Sequence, residues 1–169
     1  NSGFEGVAWN AASSAFYAVK EKTTTTGGTV AKGVYQVANT PGVATTTQLA
    51  AVSATLNPLA SDLSDLFFDP SIGGHPYVLS HEPARVMEVG LDGTLYGTRT
   101  LSGAQLEGIT FSPDMLNMYV IGEQRDFYHY RVAGPAPRIP QTAALPEPAS
   151  LLCLALAGGV MLLRLSLRR

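Results

Sequence analysis

The chain has 169 residues, 46% of them hydrophobic and 14% charged, enough for one domain of moderate size. Its single cysteine, Cys153, lies in an apolar run and excludes an internal disulfide framework. Without Arg164, Arg168 and Arg169 near the C-terminus, eight basic residues face thirteen acidic ones, a balance with no electrostatic footprint for nucleic acid and a surface that suits cations better than polyanions.

In chain order, Glu5-Gly6-Val7-Ala8-Trp9 alternates apolar and small residues and reads as an inner strand, with residues 10–14 as a turn and residues 15–21 as a second strand. The run Thr23-Thr24-Thr25-Thr26-Gly27-Gly28-Thr29 is a polar, low-complexity loop. Residues 33–37 form the third predicted strand and residues 45–53, on their β-branched content, the fourth. A second copy follows at residues 63–68, 77–80, 85–89 and 95–101, with Asp92-Gly93 as the hairpin turn before its last strand. A third copy has residues 106–111, 119–121 and 127–132 and no fourth strand; a closed ring would take that strand from the other terminus.

The copies keep step. Glu5 to Glu21 is 16 positions, Ser64 to His81 is 17, and Glu107 to Glu123 is 16. The copies start 59 and then 43 positions apart, at Glu5, Ser64 and Glu107. Short strands repeating every 40–50 residues or so are the signature of propeller blades. The expected fold is therefore all-β: an incomplete antiparallel β-propeller over residues 1–133, with about three four-stranded blades at roughly 1–60, 61–103 and 104–133. The chain opens at Asn1 directly on a strand, without an initiator methionine or a signal peptide, so a fragment or processed product with further blades upstream is expected.

After the last strand the character changes. Residues 134–148 carry Pro135, Pro137, Pro140, Pro146 and Pro148, which makes them an extended, semi-rigid linker. Residues 149–163 are uncharged and apolar, and Arg164, Arg168 and Arg169 close the chain. With Arg164 snorkelling, residues 149–169 form a C-terminal transmembrane helix and arginine-rich tail. Pro146-Glu147-Pro148, a short apolar helix and terminal arginines, in that order, resemble a PEP-CTERM sorting signal. That resemblance implies a Gram-negative bacterial protein exported through the inner membrane. It also implies an exosortase handling the tail, transient tethering, and a final place at the cell surface or outside the cell. The arginines stay cytoplasmic, so the body faces outward.

The body resembles the SdiA-regulated family of bacterial propellers, distantly related to NHL-repeat proteins. The residues that carry the likeness are Gly3-Phe4-Glu5-Gly6-Val7-Ala8, Val19-Lys20-Glu21-Lys22, Val34-Tyr35-Gln36-Val37 and Leu106-Glu107-Gly108-Ile109-Thr110-Phe111. The resemblance implies a propeller with calcium bound and no assigned reaction. The second copy departs from the pattern, with Ser64 in place of the glutamate and Asp65 in place of the glycine.

The chemistry expected of this pattern is cation binding. Glu5 and Glu107 begin inner strands, where a propeller's strands converge on its channel, and carboxylates meeting there repel unless a cation lies between them. A hard ion such as Ca²⁺ takes six to eight or so oxygen ligands. Gly6 and Gly108 would let backbone come close to it, and Ser64 or Asp65 would add an oxygen. The alternative is that each glutamate caps nearby backbone N–H groups. Glu21 and Glu123, ending second strands, are expected at a blade rim or paired with Lys20, Lys22 or Arg125. His75, His81 and His129 have no zinc spacing; His81-Glu82 is the one candidate general base pair. No Gly-x-Ser-x-Gly elbow and no Gly-rich phosphate loop occur, and no catalytic residue or organic cofactor is assigned. Trp9, Phe68 and Phe111 hold equivalent places and are expected between blades. Three functions follow: a non-enzymatic, calcium-binding propeller that binds a surface polysaccharide or other ligand, a metal-dependent esterase or phosphodiesterase, or a purely structural surface protein.

Overall fold

The computed structural model describes residues 3–25, 28–40, 43–70 and 74–132, all within one compact unit, Asn1–Arg138. The predicted linker and C-terminal helix, with Cys153, Pro146, Glu147, Pro148, Arg164, Arg168 and Arg169, lie outside the described residues. Among the described residues no helix is long and apolar enough to cross a membrane.

Three antiparallel sheets follow one another along the chain, each a meander. The first is β1 (Phe4–Asn10), β2 (Ala15–Lys20), β3 (Gly33–Thr40) and β4 (Val43–Gln48) in that spatial order. After α1 (Ala50–Leu56) comes the second: β5 (Asp65–Phe68), β6 (Pro76–Ser80), β7 (Arg85–Val89) and β8 (Leu95–Thr100). The third has three strands among the described residues, β9 (Leu106–Phe111), β10 (Asn117–Gly122) and β11 (Phe127–Arg131). These are blade-like sheets of an all-β chain, and the three do not close into a ring. The Asp92-Gly93 turn is present, with Gly93 at φ +90°, a left-handed conformation that suits a residue without a Cβ.

One sequence expectation is corrected. The strand expected over residues 45–53 ends at Gln48, and Ala50–Leu56 is helical. Val52, Ser53 and Leu56 are buried, a spacing of one helical face, and three alanines supply helix propensity. Of the four β-branched residues that suggested a strand, Thr45, Thr46 and Thr47 lie in β4 and Val52 alone lies in the helix.

Alternation along the strands sorts side chains between the two faces of each sheet. Tyr17 and Val19 from the first sheet, Val52 and Leu56 from α1, and Leu66, Phe68, Val78 and Met87 from the second form one apolar core. Leu79 and Val86, on the opposite face of the second sheet, meet Ile109, Met118 and Val120 in another. The core therefore lies between sheets, as blade packing requires. Phe68 and Phe111 pack between sheets as expected, against Tyr17 and Phe67 respectively. Trp9, their counterpart in the first sheet, is 49% exposed and touches Phe16 of its own sheet, because no sheet covers that face among the described residues.

Candidate functional site

The site is fixed by hairpin geometry. In an antiparallel pair the start of the first strand lies opposite the end of the second. The register pairs Phe4 with Lys20, Asp65 with Leu79, and Leu106 with Gly122. Each hairpin therefore brings together one residue at its opening and one at its close: Glu5 with Glu21, Ser64 with His81, Glu107 with Glu123. A backbone bond joins the first two hairpins, the Leu63 N–H donating to the Glu21 carbonyl at 3.2 Å, and within the second the Ser64 N–H donates to the Leu79 carbonyl at 3.0 Å.

All six of these side chains, with Lys22, line one pocket of about 280 Å³. Four carboxylates share it with a single lysine. Lys22 Nζ lies 3.2 Å from Glu21 Oε1, and His81 Nδ1 lies 3.3 Å from Glu107 Oε1. Burial raises the Glu107 pKa; His81 works against that rise, and the charges of Glu123, Glu5 and Glu21 add to it. Ser64 is 3% exposed, and its Oγ has no hydrogen-bond partner among the described residues; Glu21 Oε2 is buried in the same condition. Buried polar atoms without partners are uncommon and costly, and both of these residues line the pocket.

Of the four residues expected at a metal, Glu5, Glu107 and Ser64 are brought together and Asp65 is directed elsewhere. Asp65 Oδ2 accepts the Ile109 N–H at 2.8 Å, which ties β5 to β9. A Cβ on Gly6 would stand 2.3 Å from Asp65 Oδ1. The space left by that glycine is thus filled by Asp65. A Cβ on Gly108 would meet Ile121 at 2.8 Å. Glu21 and Glu123, expected at a blade rim or beside a basic residue, share the pocket with His81, and the nearly constant spacing of all three from the first-strand residues was the signal for it.

The other two histidines stand apart. His75 Nδ1 lies 3.6 Å from Glu88 Oε1 and its ring stacks on Tyr96; His129 Nε2 bonds Asn117 Oδ1 at 2.9 Å and stacks on Tyr119.

Among the described residues no three His, Cys, Asp or Glu side chains are gathered closely enough to hold a metal ion directly.

Comparison with known families places the chain. The family profile described as SdiA-regulated matches residues 1–131. No curated protein matches the chain.

Proposed function

The chain belongs to the SdiA-regulated family, and from that premise we propose that it is an exported, non-enzymatic propeller protein that binds a ligand at the cell surface or outside the cell, with Ca²⁺ held in its glutamate pocket. The observation that carries the cation is the buried, partnerless Ser64 Oγ in a pocket shared with four carboxylates and one lysine. Glu5, Glu107 and Ser64 would hold the ion, with Glu21 and Glu123 adding negative charge around it. Such an ion supplies charge neutralisation, and the protein supplies oxygens that repel one another without it. Lys22 already engages Glu21, which leaves Glu5, Glu107 and Glu123 to share the ion.

Melting of the intact protein in saturating calcium and in chelator tests this. An ion that binds only the folded state stabilises it by about 2.7 kcal/mol at a hundredfold excess over Kd. The expected result is a higher melting temperature with calcium, and no difference once Glu5→Gln and Glu107→Gln are combined. Equal melting temperatures for wild type in calcium and in chelator overturn the cation.

Export rests on the order of Pro146-Glu147-Pro148, apolar run and terminal arginines in the sequence. An exosortase acting near Pro146-Glu147-Pro148 would release a body first tethered at the inner membrane. Fractionation of the native host is the test, and full-length, unprocessed protein in the cytosol would end the idea.

A second reading, a metal-dependent esterase or phosphodiesterase, is favoured by one observation: His81 reaches the pocket and stands against Glu107. His81 would then hold or move a proton beside a metal-activated water. Turnover of nitrophenyl esters or phosphodiesters that chelator abolishes, and that His81→Gln removes, would establish the enzyme; its absence leaves the binding protein.

A further inference from the structure

A second cavity, of about 530 Å³, lies between the second and third sheets and shares no lining residue with the glutamate pocket. Strand register fixes which side chains face it. Tyr77 pairs with Glu88 and Glu88 with Gly97, while Phe111 pairs with Met118 and Met118 with Tyr130. Residues directly opposite one another share a sheet face, and the Tyr77 and Phe111 rings meet across the seam at 4.7 Å. Tyr77, Val86, Phe111, Met118 and Tyr130 therefore make an aromatic and apolar wall. Glu88, among them, lies 3.6 Å from His75. Gly97 puts no side chain into the cavity, and a Cβ placed on it meets nothing within 4 Å.

Val132 lines the same cavity. Its N–H donates to the Leu116 carbonyl at 2.9 Å, which continues the β10–β11 ladder by one step and fixes where the chain leaves the third sheet. The chain thus leaves that sheet at the cavity itself. The next six residues, still within the same compact unit, read Ala133-Gly134-Pro135-Ala136-Pro137-Arg138 and lie outside the described residues. Alternate prolines favour the polyproline II conformation, at about 3.1 Å per residue. Six such residues reach about 19 Å, against roughly 10 Å between facing sheets. Extended proline-rich segments dock in aromatic-lined grooves because their conformation is set before they bind. A segment joined to Val132 also avoids most of the cost of association.

We infer that residues 133–138 strap across this cavity, with Pro135 and Pro137 against the rings of Tyr77, Phe111 and Tyr130. The strap covers part of the opening, and the cavity stays hollow beneath it. It ties the second sheet to the third, as α1 ties the first to the second. The inference depends neither on the cation nor on export.

Disulfide trapping in the full chain is the test. Cys153→Ser removes the single native thiol. Ala136→Cys is then combined with Gly97→Cys, inside the cavity, or with Phe127→Cys. Phe127 is 67% exposed and pairs with Ile121, on the face of the third sheet turned away from the cavity. Gly97 is not at positive φ and has space around it, so it accepts a cysteine. In oxidised glutathione the Gly97 pair should close within monomers about tenfold or more faster than the Phe127 pair, the result of a tether matched to its span. Adding Pro135→Gly and Pro137→Gly should bring the two rates within about twofold, because the segment then loses its pre-set conformation. Both glycines lie beyond the last strand, so the sheets fold in every arm. Equal rates for the two pairs would overturn the strap and leave the cavity to an external ligand. A Gly97 pair that the glycines do not slow would overturn it too, since a loose linker behaves that way. Disulfide-linked dimers in place of monomers would assign the cavity to the linker of a second copy and equally overturn it. Failure here leaves the calcium experiment untouched, because the two sites share no residue.

Discussion

The seam between the first and second sheets and the seam between the second and third are made from the same repeat, yet a helix packs into the first and a large cavity opens beside the core of the second. In the first, α1 lays Val52 and Leu56 beside Tyr17, Val19, Leu66 and Phe68, and the result is continuous core. In the second, Met118 and Phe111 face a cavity of about 530 Å³. The starts of the copies are 59 positions apart across the first seam and 43 across the second. The longer connection includes the helix. The strands of a blade therefore set where the next sheet lies, and the connector decides whether the space between them becomes core or site.

The largest expected effect separates the seams directly. Leu56 is fully buried, and Leu56→Ala removes a large side chain where nothing can collapse to fill the void, a loss of about 3–5 kcal/mol. Met118→Ala enlarges a cavity already open to solvent, so it loses the transfer term with little added cavity cost, about 1–2 kcal/mol. Denaturant titration of both variants checks the order. Equal losses would mean that the second seam is packed as tightly as the first.

The same contrast can be sharpened with two glycines. Gly6 faces the first seam, and a Cβ there would stand 2.6 Å from the Asp65 Cα, a backbone atom that cannot swing aside. Gly6→Ala is expected to cost about 1–3 kcal/mol through forced backbone shifts. Gly97 faces the hollow seam, with open space around it, and Gly97→Ala should stay within about 0.5 kcal/mol of wild type. Thermal melts of the pair read this difference, and a neutral Gly6→Ala would show that Asp65 does not hold the sheets in register.

Much of this was legible in the sequence, for reasons that differ by element. Strands were visible because alternation and turn residues are local signals, and the third copy's opening strand runs over residues 106–111 as expected. The helix was not, because the threonines before it and the short apolar face within it give competing periods over too few residues. Glu5, Ser64 and Glu107 were found by repeat register. Glu21, His81 and Glu123 were visible as a nearly constant spacing, but the glutamates were assigned to a rim or a basic partner and His81 to a base pair with Glu82, although a hairpin of nearly fixed length must return to the level at which it began. The direction of Asp65, which turns to Ile109, and the hollow second seam depend on how one sheet meets the next, and no local pattern in the chain encodes either.

The smallest expected effect concerns that aspartate and pH. Burial pushes the Asp65 pKa above its ordinary 3.8, while the N–H groups of Ile109 and Leu66 pull it back. A carboxyl whose pKa is raised on folding binds its proton more tightly in the folded state than in the unfolded one. Stability from that proton is fully present below the ordinary value and is lost as pH rises through the raised one, because the unfolded chain then holds fewer protons than the folded one. The seam should accordingly weaken from about pH 4 upward until Asp65 is ionised, and then level off. Asp65→Asn keeps an oxygen for the Ile109 N–H and removes the titration. Its denaturation midpoint should fall less steeply than that of wild type across this window, measured in chelator so that calcium does not intervene. Every other group is common to both proteins, so the difference between the two curves isolates Asp65. Parallel curves would mean that Asp65 is as well solvated folded as unfolded, and that its bond to Ile109 joins the sheets without the burial that raises its pKa.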